Sequence, residues 1–151
     1  MDILSGINAY GVVNHEIYGR IYAFETDGFM ENLLIDDANI PSLLSASYIG
    51  FKTPYDPNDI LLESTRRFVL SKNNSLYFEG EHAWGIGSAH TALGFVWPMS
   101  IIMEGFTLKA SDESNSRFDS IWQRLEVSHA NTFSMHESFH VDNPASFTRH
   151  W

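Results

Sequence analysis

Residues 91–108, TALGFVWPMSIIMEGFTL, are apolar at almost every position and carry a single proline, Pro98. Such a stretch must be buried, and its length suits a helix that Pro98 either kinks or opens near its first turn. Burial requires partners, and the chain supplies them as amphipathic segments. DILSGINAYGVV sets Ile3, Ile7 and Tyr10 at helical spacing before a stop at Gly11. PYDPNDILLESTRRFVLSK starts on Asp56-Pro57 and places Ile60, Leu61, Ser64, Phe68 and Val69 on one face. DESNSRFDSIWQRLEVSHA does the same with Phe118, Ile121, Trp122 and Leu125. A further helix is predicted within LLIDDANIPSLLSASYIGF, where Asp36, Asp37 and Asn39 are capping candidates, Pro41 suits a first turn, and Leu43, Leu44 and Tyr48 precede Gly50. Asn143-Pro144 sets up a last helix through ASFTRHW to Trp151. Two extended pieces are expected. One is GRIYAFETDGF, with Ile21, Ala23 and Glu25 alternating up to Asp27-Gly28, and the other follows the turn in NNSLYFEG. The pattern is one of moderate helices separated by polar loops, with no short internal repeat.

Charge narrows the partners. The formal net charge is −10, and no basic cluster exceeds Arg66-Arg67, so the chain has nothing with which to track a phosphate backbone. No uninterrupted apolar run approaches membrane length, and MDILSGINAYG lacks the basic flank of a signal peptide, so a soluble chain is expected. The absence of cysteine removes disulfides, thiolate metal sites and a cysteine nucleophile together. Aromatic residues make up 14% of the chain, which suits either a packed core or flat platforms for the C–H faces of a sugar.

The densest chemistry lies in SMHESFHVDNP, whose centre, His136-Glu137-Ser138-Phe139-His140, is a literal H-E-x-x-H. A zinc hydrolase needs that string inside a helix, so that the two histidines share a face and the glutamate activates a metal-bound water. Asn131, Thr132 and Ser134 before it, and Val141-Asp142-Asn143-Pro144 after it, oppose a helix. No third histidine stands at position 146 and no glutamate follows residue 137. Apart from zinc, Glu137 has two readings: a carboxylate tuned by its setting among Met135, Ser138 and Phe139, or one that pairs with Arg149 or caps the following helix. Asp36-Asp37 offers one cap and a second carboxylate able to accept two sugar hydroxyls. GIGSAHT (85–91) lacks the Lys-Ser/Thr pair of a phosphate loop and reads instead as a turn feeding Ser88, His90 and Thr91 into a cleft. Asn73-Asn74-Ser75 has the form of a glycosylation sequon.

Taken together and in order, DDANIPSLLS, TRRFVLSKNN, GIGSAHT with FVWPMSIIMEG, and MHESFHVDNPASFTRHW resemble glycoside hydrolase family 125, the exo-acting α-1,6-mannosidases. The resemblance runs from near Gly6 to Trp151. It implies an all-α fold, part of an (α/α)6 toroid with short extended segments in its loops, and a single incomplete catalytic domain over 1–151, truncated at both ends. It also implies metal-independent, inverting hydrolysis of terminal α-1,6-linked mannose, with no cofactor and a mannose-containing oligosaccharide as partner. Glu137 matches the family's general base, which makes the H-E-x-x-H coincidental. The family's general acid is an aspartate upstream of the DDAN block, for which this chain has no matching segment; one carboxylate cannot both protonate the leaving oxygen and activate water. The remaining pocket residues are expected to be Asp37, Asn39, His90, Thr91, His136 and Arg149, with Trp97 as a platform or packing residue. A non-catalytic mannoside-binding remnant is the alternative. Half a toroid exposes the inner faces of its helices, which implies self-association.

Overall fold

A computed structural model describes residues 2–109 and 114–149, the side chains of Ser114 and Asn115 excepted. Among these residues there are four helices, α1 (Ile3–Tyr10), α2 (Ile60–Val69), α3 (Pro98–Phe106) and α4 (Ser114–Ser128). Eight short strands accompany them: β1 (Val12–His15), β2 (Gly19–Tyr22), β3 (Glu25–Thr26), β4 (Asn32–Leu33), β5 (Tyr77–Glu79), β6 (Trp84–Ile86), β7 (Phe95–Val96) and β8 (Phe139–His140). They pair antiparallel as β1–β2, β3–β4, β5–β6 and β7–β8. The all-α partial toroid is therefore corrected to a mixed architecture in which small two-stranded sheets sit between the helices.

The helices form where caps and apolar spacing agree. In α1, Asp2 accepts the Ser5 N–H at 2.8 Å, and the Gly11 N–H closes on the Ile7 carbonyl. In α2, Asp56 accepts the Leu62 N–H at 3.0 Å, and Leu61, Leu62, Phe68 and Val69 are buried. Ile60, expected on that face, is 66% exposed. Thr65 docks the helix on the β1–β2 hairpin, its hydroxyl donating to the Leu61 carbonyl and accepting the Tyr22 N–H at 2.9 Å. Pro98 takes the first position of α3, where its missing N–H breaks no helical bond. Packing of α3 on α4 is fixed by a buried ion pair. Arg124, 1% exposed, meets Glu104 at 2.9 Å, donates to the Trp84 carbonyl at 2.9 Å and lies 4.7 Å over the Trp84 ring. Ile121 of α4 is buried, whereas Phe118 and Trp122 are exposed, Trp122 by 71%.

Three predicted helical stretches are not helical, and each time other partners take the backbone donors. Over 42–50 the chain makes turns. Both oxygens of buried Asp36 capture the N–H groups of Leu43 and Leu44, at 2.8 and 2.9 Å, while Ser42 and Ser45 each accept the other's N–H. These side-chain bonds replace the helical ladder. Residues 91–97 turn and then extend as β7, because Phe95 and Val96 pair with His140 and Phe139. Residues 145–149 also lie alongside β8, with Ser146 and Thr148 bonded to His140 and Ser138, in place of the helix expected from Pro144 onward; His150 and Trp151 fall outside the described residues. The strand expected over 21–26 is split at Ala23 between β2 and β3.

The core has two main parts. Ile21, Ala38, Leu44, Phe68, Val69, Ile86, Trp97 and Met103 form one; Ala83, Val96, Ile101, Ile121, Phe139 and Val141 form the other. Because β7 and β8 belong to the second, the segments that flank Glu137 are fastened to α3 and α4 through apolar contacts.

Candidate functional site

Four of the expected site residues converge on Ser88. The main chain brings the segments together where the Ala38 N–H bonds the Gly87 carbonyl at 2.9 Å. One oxygen of Asp37 accepts the Asn39 N–H at 2.9 Å and the Asn39 side-chain amide. The other accepts the Ser88 hydroxyl at 2.8 Å and the Ala89 N–H at 3.2 Å. His90 donates its N–H to the Ser88 hydroxyl, and the Thr91 hydroxyl donates to the Ser88 carbonyl and accepts from the Trp97 indole at 3.4 Å. Partial burial pushes the Asp37 carboxyl up, but its donors Asn39, Ser88 and Ala89 together outweigh that and hold it below the usual carboxylate range. Its neighbour Asp36 behaves oppositely. Full burial pushes Asp36 up to about 7 against the two N–H bonds from Leu44 and Leu43.

The other three residues lie on the extended segments around β8. Glu137 donates its N–H to the Arg149 carbonyl at 3.1 Å, and one side-chain oxygen, Oε2, accepts the Thr148 hydroxyl at 3.2 Å. Arg149 Nε stands 3.9 Å from the same oxygen, but that side chain is 80% exposed, so solvent screens the pair. Oε1 accepts no hydrogen bond from the described residues, and the Glu137 side chain is 18% exposed. His136 is fully buried, its ring stacked on Phe147 at 3.6 Å with Nε2 3.0 Å from the Thr132 hydroxyl. The two groups of residues are tied together by the β7–β8 ladder. Gly94, just before β7, takes φ +79°, and a Cβ there would stand 2.7 Å from His140 Nε2, so the close approach of the 88–94 loop to β8 requires glycine.

The H-E-x-x-H string does not form a helix. His136 packs on Phe147, and His140 meets Phe95 edge-on, so the two rings are not presented as a ligand pair on one helical face. Nor does any group of three or more histidine, aspartate or glutamate side chains among the described residues gather at metal-binding spacing. Glu137 is in the wall neither of the cavity of about 560 Å³ bounded by Ile7, Phe24, Leu43 and Phe51 nor of that of about 710 Å³ bounded by His82, Arg124, His129 and Asn143. Its side chain is mostly buried, with 18% of its surface exposed.

Comparison with known proteins fits this arrangement to a family. The model of the metal-independent alpha-mannosidases, GH125, matches residues 1–151. The chain belongs to the GH125 family. A relative in Schizosaccharomyces pombe, the Meiotically up-regulated gene 157 protein, is 42% identical over 150 residues, which is 99% of this chain and 28% of that protein. A solved structure of a metal-independent alpha mannosidase of Streptococcus pneumoniae, a non-productive substrate complex with alpha-1,6-mannobiose, matches with a TM-score of 0.82 and 36% identity. That match covers 95% of this chain and 32% of the other, so this GH125 sequence spans less than a third of either protein.

Sequence reasoning did not single out Ser88, Ser138 or Thr148 as organising residues of this GH125 site. Ser88 had a signal, since a small hydroxyl between Gly-Ile-Gly and His-Thr is well placed to bond its own loop. Thr148 had none, because its partner lies across a pairing of two extended segments that local periodicity does not reveal.

Proposed function

We propose that this chain carries the general base of an exo-acting GH125 mannosidase, hydrolysing terminal α-1,6-linked mannose with inversion as part of a larger catalytic domain. Glu137 is the base, and the general acid is supplied from outside the 1–151 segment. The observation that carries this reading is the unequal use of the Glu137 carboxylate: Oε2 is held by Thr148, while Oε1 accepts no hydrogen bond from the described residues and is left to accept a proton from the attacking water. Asp37, with Asn39 and Ser88, shapes the loop that presents His90 and Thr91; His136, stacked on Phe147, anchors the segment that carries Glu137, and Arg149 stands exposed beside it. Inversion requires the acid to lie across the sugar from the base, with about 6.5–9.5 Å between carboxyl groups to admit the water.

Hydrolysis of α-mannosyl fluoride by the full chain tests the base alone, since fluoride departs without a proton from an acid. The expected first product is β-mannose, seen by ¹H NMR before mutarotation, with the rate lost in Glu137→Gln. First appearance of α-mannose, or a rate indifferent to Glu137→Gln, overturns the reading. A second reading, mannoside binding without turnover, is favoured by the partial span of the chain, less than a third of the relatives it matches. Under that reading, calorimetry with α-1,6-mannobiose gives saturable heat while the fluoride is not consumed.

A further inference from the structure

We propose that Thr148 is a positioning residue for Glu137, and that Ser138 fixes the direction in which its hydroxyl points. This inference rests on the reading of Glu137 as the base and goes beyond it, because it assigns the groups that hold the carboxylate in place.

The backbone creates the contact. Residues 146–149 lie antiparallel to 137–140 through Glu137 N–H to Arg149 O at 3.1 Å, Thr148 N–H to Ser138 O at 2.9 Å and His140 N–H to Ser146 O at 2.9 Å. Phe147, stacked on buried His136 and bridged to Phe139, anchors this segment in the core. Thr148 is therefore presented by a fixed backbone on both sides.

The side chains then form a chain of hydroxyls: Ser138 Oγ lies 2.8 Å from Thr148 Oγ1, which lies 3.2 Å from Glu137 Oε2. An ionised carboxylate only accepts, so the Thr148 proton goes to Glu137. Thr148 Oγ1 then has lone pairs left, and the Ser138 proton goes to them. Ser138 is fully buried, which keeps water from competing for that proton. The order is thus Ser138 to Thr148 to Glu137, each bond polarising the next. Arg149 cannot do this work, being 3.9 Å away and 80% exposed. Holding Oε2 in this way leaves Oε1 for the water it must deprotonate.

The test uses the full chain as Thr148→Val, Thr148→Ser and Ser138→Ala, with two readouts. The first is the Glu137 side-chain rotamer, from three-bond ¹³C couplings, which needs no activity. One rotamer is expected in the parent and in Thr148→Ser, and averaging in Thr148→Val; a single unchanged rotamer in Thr148→Val overturns the proposal. The second is turnover of α-mannosyl fluoride. Thr148→Val is expected to lower kcat about 10- to 100-fold at unchanged KM, the size of effect that loss of positioning produces. Thr148→Ser recovers most of that rate, and Ser138→Ala falls between. A loss that Thr148→Ser shares, or one carried in KM, overturns the positioning role. If the parent turns over no faster than Glu137→Gln, the reading of the base fails and the catalytic half of this proposal fails with it; the rotamer measurement still decides whether Thr148 holds the carboxylate. Should Thr148→Val not fold, Ser138→Ala with the same two readouts decides, since it leaves the Thr148 to Glu137 bond without its orienting donor.

Discussion

Replacing Asp36 with asparagine should change how the stability of the chain depends on pH. Asp36 is fully buried, its carboxylate accepts the N–H groups of Leu43 and Leu44 while Asn74 bonds its backbone, and burial pushes its pKa from 3.8 up to about 7. For an acid raised in the folded state, the folded chain holds the proton where the unfolded chain has released it. Stability therefore falls as pH rises from about 4 to about 7 and levels off above that. With folded and unfolded values of about 7 and 3.8, the loss attributable to this one group between pH 5 and pH 8 is about 2–3 kcal/mol. An asparagine side chain cannot ionise. It keeps one acceptor oxygen but turns an amide towards the second N–H, at a pH-independent cost of about 1–3 kcal/mol. Asp36→Asn should therefore be the less stable protein at pH 5 and gain on the parent steadily towards pH 8. Urea denaturation of both proteins at four pH values between 5 and 8 measures this. Parallel stability curves would refute the account, and would mean that the two N–H bonds to the Asp36 carboxylate outweigh its desolvation.

Other substitutions address separate parts of the molecule. Arg124→Leu leaves Glu104 without its partner beside α3 and should cost about 3–5 kcal/mol in urea denaturation, much of it recovered when Glu104→Leu is added. Ser88→Ala removes the hydroxyl that binds Asp37, Asn39 and His90 into one knot. It should cost about 1–2 kcal/mol and speed amide exchange at Ala89 and His90. Because the Asp37 pKa is lowered, the contribution of that knot is complete above the unfolded value of 3.8 and is lost as pH falls through the lower folded value, so the parent and Ser88→Ala should converge in acid. The outward faces of Phe118 and Trp122 on α4 should drive concentration-dependent association, seen by sedimentation velocity and reduced in Trp122→Glu; an unchanged sedimentation coefficient across concentrations would count against it.

What the sequence disclosed of the fold depended on whether a segment's backbone donors stay within it. α1 is capped by Asp2 and ends on Gly11, α2 follows Asp56-Pro57, α3 opens on Pro98 and α4 carries Ile121 and Leu125 inward, because in each a cap, a first-turn proline or apolar spacing agrees with the helical ladder. The segment from Leu43 to Gly50 has equally good apolar spacing, yet Asp36, Ser42 and Ser45 take its donors, and a periodicity count gives such competition no weight. The all-α expectation failed for the same reason at β7 and β8, whose partners lie more than 40 residues apart in sequence.

The candidate site inherits that division. That Asp37, Asn39, His90 and Thr91 come together follows from two short motifs, and the Ala38 to Gly87 bond needs only those motifs to meet. Glu137 was legible as a residue but not as a geometry, because its surroundings depend on a pairing between 137–140 and 146–149 where a helix was expected. The extended backbone is what separates the chemistry of Glu137 from that of its histidines. His136 and Ser138 are fully buried, while Glu137, in the bend between them just before β8, stays partly open. In a helix, His136 and His140 would have shared a face with Glu137 beside them, which is the zinc arrangement. On this strand, burial takes His136 into a stack with Phe147, Ser138 is turned to Thr148, and one carboxylate is left with a held oxygen and a free one. Under the proposed reading that asymmetry is what a base acting on water uses, and its structural source is the pairing of 137–140 with 146–149 and the two hydroxyls of Thr148 and Ser138.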